Sequence, residues 1–135
     1  MPTPAETVRT FIAALERKDL DAAVTLLADE CEYDNVPMAK VHGPAAVRAA
    51  LEPFLAGCAR IEWVVHREAA TGSIVFNERI DRFEMAHGWV EIAVTGVWEV
   101  SGGRITLWRD YFDLATFRAQ MQPAAVPTLD ALNII

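Results

Sequence analysis

Cysteine is scarce in this sequence: 135 residues hold only Cys31 and Cys58, and they form no CxxC motif. Nothing demands an oxidising compartment, and both read as reduced, buried, apolar side chains. No apolar run approaches the ~18 residues of a membrane span. The opening stretch, MPTPAETVRTF, lacks the basic and apolar regions of a secretory leader, so the expected setting is cytoplasmic. Positive charge is also short. Twelve Lys and Arg against nineteen Asp and Glu give a net charge of −7. The basic residues are scattered, which disfavours nucleic acid and anionic membrane as partners. His42, His66 and His87 show no HExxH pattern and no close pairing, so no metal site is expected. No GxSxG elbow or glycine-rich phosphate loop is present, which argues against a covalent seryl or aspartyl intermediate and against a nucleotide site.

What is present suits one globular domain over 1–135, with 53% hydrophobic residues for a large core or an apolar cavity. Thr3, Pro4 and Glu6 form a capping box at a helix start, and Val8, Phe11, Ile12 and Leu15 then line one helical face. Asp19 caps a second helix carrying Leu20, Val24, Leu26 and Leu27. Gly43-Pro44 opens a third, with Val47, Leu51, Phe54 and Leu55 buried and Pro53 predicting a kink or an early stop. Strands are predicted over 30–36, 61–67, 73–85, 89–100 and 104–112, with turns at His87-Gly88 and Ser101-Gly102-Gly103. Asp113 caps a last short helix that ends before Pro123, and 122–135 form an apolar tail able to dock on the domain or on a partner subunit. Helices followed by long strands predict an α+β domain in which helices cover one face of a curved mixed sheet and leave a conical cavity.

The period of two along a strand sorts the polar residues. Tyr33 and Asn35 share one face, Arg79, Asp81 and Phe83 another, and Asp110 shares its face with Trp108 and Phe112. Taken alone, an Arg-x-Asp pair on a strand is usually a solvated ion pair. Glu78, Arg82 and Glu84 on the other face of the same strand leave its inward side open. Asp110, flanked by two aromatics, is expected to be at least half buried. Phe54, Phe83, Ile92, Val94 and Phe112 are candidates for pocket lining or plain core.

In combination these segments carry more. YDNVP (with Gly43 after it), NERIDRF, the strand ending in GVWEV, and ITLWRDYFDL occur in that order over most of the chain. The set resembles the limonene-1,2-epoxide hydrolase family, with WRDYFDL the most specific element and the ERxD pairing next. The resemblance implies a cone-shaped fold like that of nuclear transport factor 2, a homodimer, and one-step hydrolysis of an apolar, terpenoid-like or cyclic epoxide without cofactor. It also implies roles: Asp110 as the base acting on water, Tyr33 and Asn35 as the groups holding that water, Asp81 as the acid, and Arg79 as the cation joining the carboxylates. The pocket lining and the long tail depart from the pattern. Two rivals share the fold. One is an isomerase or cyclase, like the ketosteroid isomerases, polyketide cyclases or epoxide-opening cyclases. The other is a non-catalytic binding domain, against which a polar quintet in an apolar cavity argues.

Overall fold

The computed structural model describes residues 1–122. The capping box forms as its residue types dictate: Thr3 Oγ1 accepts from the Glu6 backbone N–H, and Glu6 accepts from the Thr3 N–H at 3.0 Å. It starts α1 (Pro4–Glu16), whose buried face includes Val8, Phe11, Ile12 and Leu15. Asp19 caps α2 (Leu20–Thr25), which stops short of Leu26 and Leu27. Leu27 instead opens strand β1 (Leu27–Asn35), three residues earlier than its sequence suggests. A two-residue strand, β2 (Val41–His42), is too short to carry a periodic signal.

Helix α3 (Pro44–Ala56) runs through Pro53 with no early stop. The amide missing at Pro53 would pair with Ala49, and both residues are exposed, so the unpaired carbonyl lies open to solvent. Four long strands follow: β3 (Arg60–Thr71), β4 (Ile74–Met85), β5 (Gly88–Ser101) and β6 (Arg104–Tyr111). Asp113 caps the closing helix α4 (Leu114–Met121). Of the apolar tail, 122–135, all but Gln122 lies outside the described residues.

The sheet order is β2-β1-β6-β5-β4-β3. β3 to β6 form an antiparallel meander, whereas β1 joins β6 in parallel. Register shifts in the β3–β4, β5–β6 and β1–β6 ladders mark irregularities of the kind that bend a sheet. α1 crosses the inner face, with Phe11 edge-on to Trp98 and Trp108 at 5.7 and 5.1 Å. The core therefore lies between α1 and the sheet, and a cavity remains between the sheet, α3 and α4.

Candidate active site

The cavity has a volume of about 370 Å³. Its walls are mostly aliphatic and aromatic, and all five lining candidates, Phe54, Phe83, Ile92, Val94 and Phe112, face it. Tyr33, Asn35, Asp81 and Asp110 are its polar lining.

Strand β4 turns Asn77, Arg79, Asp81 and Phe83 inward, leaving Glu78, Arg82 and Glu84 outside. The ordinary reading of Arg79-x-Asp81 as a solvated pair is thereby overturned. Arg79 is 0% exposed, Asp81 3% and Asp110 4%. The guanidinium donates from Nε to Asp81 Oδ1 at 2.7 Å and from Nη2 to Asp81 Oδ2 at 3.2 Å. Nη2 also donates to Asp110 Oδ2 at 2.7 Å, so one cation joins both carboxylates. The same Asp110 oxygen accepts from Trp108 Nε1 at 3.0 Å, while Oδ1 has no hydrogen-bond partner among the described residues.

The parallel pairing of β1 with β6 sets Asn35 opposite Asp110 and Tyr33 opposite Trp108. Tyr33 stacks on Trp108 with ring centroids 3.9 Å apart. Its hydroxyl accepts from Asn35 Nδ2 at 2.7 Å, which leaves the phenolic proton free to donate. Burial of that hydroxyl and the nearby Asp110 charge push the Tyr33 pKa above its usual range, so the proton stays in place.

Burial also pushes the Asp81 carboxyl up to about 7, against the downward pull of Arg79 and with further upward pressure from Asp110 and Glu16. For Arg79, burial disfavours charge, but Asp110 and Asp81 outweigh it and raise the pKa. One cation thus faces two carboxyls in a buried site, and Asp81 can hold a proton near neutrality.

Three residues that sequence reasoning passed over complete the setting. Asn77 Oδ1 accepts from Arg79 Nη1 at 2.8 Å and from Trp98 Nε1 at 3.2 Å. The Arg79 guanidinium carbon lies 4.6 Å from the centre of the Trp63 ring and 5.7 Å from that of Trp98. Asn77 was findable, being two residues before Arg79 on the same strand face. Trp63 is brought in only by the register that pairs it with Asp81. Among the described residues, no cluster of His, Cys, Asp or Glu has the arrangement of a metal site.

The profile of the limonene-1,2-epoxide hydrolase catalytic domain matches residues 2–122. The chain belongs to the limonene-1,2-epoxide hydrolase family, and so to the epoxide hydrolases. It is 38% identical over 107 residues to the epoxide hydrolase EphG of Mycobacterium tuberculosis, covering 79% of this chain and 71% of that one. A solved limonene-epoxide-hydrolase-like epoxide hydrolase from M. tuberculosis superposes with a TM-score of 0.76 at 34% identity, over 86% of each chain. A protein of ketosteroid isomerase-like fold from Catenulispora acidiphila matches with a TM-score of 0.77 at 20% identity, covering 87% of this chain and 93% of that one. That likeness shows shared architecture alone, the cone of nuclear transport factor 2-like proteins. The paired carboxylates and their guanidinium are the chemically distinctive part of this chain's cavity.

Proposed function

We propose that this enzyme hydrates an uncharged, apolar epoxide of cyclic or terpenoid type to a vicinal diol in a single step, without metal or cofactor. The observation that carries the reading is the buried Arg79, held behind the wall of an apolar cavity by the two carboxylates that line it, Asp81 and Asp110. Asp110 serves as general base. Its Oδ1, unclaimed by any described residue, takes a proton from water, and the Tyr33 hydroxyl and the Asn35 amide steady that water. The water oxygen attacks an epoxide carbon from the face opposite the ring oxygen, that carbon's own bond to the ring oxygen breaks, and its configuration inverts. Asp81 is the general acid. Its Oδ2, the oxygen with the longer 3.2 Å contact to Arg79, carries the proton that passes to the epoxide oxygen as the ring opens.

After the step Asp110 is neutral and Asp81 ionised, and a proton returning from the first to the second resets the site. Arg79 neutralises one negative charge throughout, so the buried charge count is the same before and after. This supports a concerted acid–base route, since neither carboxylate is stranded in the low-dielectric site. Cationic side chains are missing from the described cavity lining, which favours an uncharged substrate over an epoxy acid or phosphate.

Two further parts of the reading concern setting. The family resemblance implies a homodimer. Val64, Phe76 and Tyr111, exposed and on the sheet face turned from the cavity, offer a second copy an apolar surface. The buried, unbridged Cys31 and Cys58 suit a reducing, cytoplasmic location.

Incubation with a panel of cyclic and terpenoid epoxides in ¹⁸O-water tests the chemistry. The expected product is a diol carrying one label, and Asp110→Asn should lose about 10²–10⁴-fold in turnover with its fold intact. Unlabelled rearranged product would favour an isomerase. Wild-type turnover by Asp110→Asn would remove that residue as the base.

A further inference from the structure

We infer that Gly96 is a positioning residue for Arg79, because its missing side chain is what lets the guanidinium reach across strand β5. Arg79 and Asp81 stand on β4 and Asp110 on β6, with β5 between them. The bridge to Asp110 must therefore cross a whole strand. It crosses at one place: Gly96 is paired with Asn77 on one side and with Asp110 on the other. Residues 90, 92, 94, 98 and 100 of the same strand all turn buried side chains to this inner face. Position 96 is the gap in that row.

A Cβ added at Gly96 would stand 2.8 Å from Trp98 Nε1, 2.5 Å from Asn77 Oδ1, and closer still to Arg79 Nη1. These are the ends of side chains, yet all three are buried, and Arg79 and Trp98 both donate to Asn77 Oδ1, so none can swing away freely. The backbone at Gly96 has no positive φ, so glycine is not required there for conformation. Space alone requires it, as is typical where another group passes close over a strand. An added methyl would push the guanidinium off the line between the two carboxylates. A displacement of about 1 Å at such a site costs roughly 100-fold in rate.

The test is a double-mutant cycle between Gly96→Ala and Arg79→Lys, read by kcat, KM and urea midpoint. Lysine lacks Nη1, the nearest of the three atoms a methyl at 96 would strike, and without its bond to that atom the Asn77 amide is freer to yield; the Trp98 contact remains in both backgrounds. Gly96→Ala in the wild-type background should lower kcat about 100-fold with little change in KM. In the Arg79→Lys background the same change should lower residual kcat and the urea midpoint by less, the remaining loss coming from the contacts with Asn77 and Trp98. Val100→Ala, a buried substitution further along β5, serves as control and should lose stability but keep kcat. If Gly96→Ala alone fails to fold, recovery of folded protein in the Arg79→Lys background supports the inference. Equal losses in both backgrounds, in either readout, overturn it. The kcat arm rests on the mechanism proposed above. The stability arm does not, so a wild-type protein inert to every epoxide would sink the mechanism while leaving the Gly96 contact to be judged by its urea midpoints.

Discussion

Replacing Asp81 by asparagine should stabilise the protein at pH 8 and not at pH 4. The carboxyl is raised from 3.8 to about 7 by burial, with Arg79 offsetting only part of that cost. Between those values the unfolded chain has released the Asp81 proton and the folded chain has kept it. The unfolded state then binds fewer protons, so this group makes stability fall as pH rises through the window. At about 1.4 kcal/mol for each pH unit, the loss is about 4 kcal/mol above pH 7 and nil below pH 4. Asp81 is 3% exposed, so solvent screening takes little away. Asparagine keeps an oxygen for the Arg79 Nε–H but has no charge to desolvate. The assay is urea denaturation of wild type and Asp81→Asn from pH 4 to pH 9, taking the difference at each pH so that other titrating groups cancel. The variant should gain on wild type by about 4 kcal/mol between the ends of that range, while losing hydrolysis. A flat difference, or wild type gaining on the variant as pH rises, would refute the claim that burial outweighs Arg79 at this carboxyl.

Three other outcomes follow from the same geometry. In kcat/KM against pH, activity should fall above about pH 7 as the acid loses its proton, and the limb should be described by apparent values of the coupled pair. Arg79→Met strands two buried carboxyls without a cation and should cost about 3–5 kcal/mol in urea unfolding, the loss shrinking as pH falls through the Asp81 range and that carboxyl protonates. Gln120→Ala should raise KM several-fold with little change in kcat. The Gln120 amide both accepts from Glu91 N–H and donates to Glu91 O at 2.8 Å, docking α4 so that Phe117 of that helix forms part of the cavity wall. Each such bond is worth about 1 kcal/mol.

Local chemistry in the sequence was enough for some parts of this molecule and silent on others. Thr3 and Glu6 make the capping box their spacing predicts, because that bond pair closes within four residues. Period two placed Arg79, Asp81 and Phe83 together, and they do share a face. It could not say that this face is the inner one, because both faces of β4 carry charges and only the position of α1 and the cavity decides. Of the kink or early stop that Pro53 predicted, the early stop did not come, since its missing donor falls on an exposed side of α3. The approach of Tyr33 and Asn35 to Asp110 depends on a parallel ladder between strands far apart in the chain, which leaves no local signature. Trp63 reaches Arg79 only through the β3–β4 register, and Leu27 joins a strand despite its helix-like spacing after Leu20 and Val24.

The parallel ladder between β1 and β6 has a consequence in time. Asp34 and Arg109, joined by a 2.8 Å hydrogen bond along it, are 75 positions apart in the chain. The meander from β3 to β6 can form from neighbouring hairpins, whereas closing β1 onto β6 must overcome the entropy of the longest loop in the sheet. A chain emerging from the ribosome would hold Tyr33 and Asn35 idle until β6 follows. The reactive site is then among the last features assembled, and no partly folded intermediate lacking that closure could bring its water-holding groups to the Asp110 carboxylate.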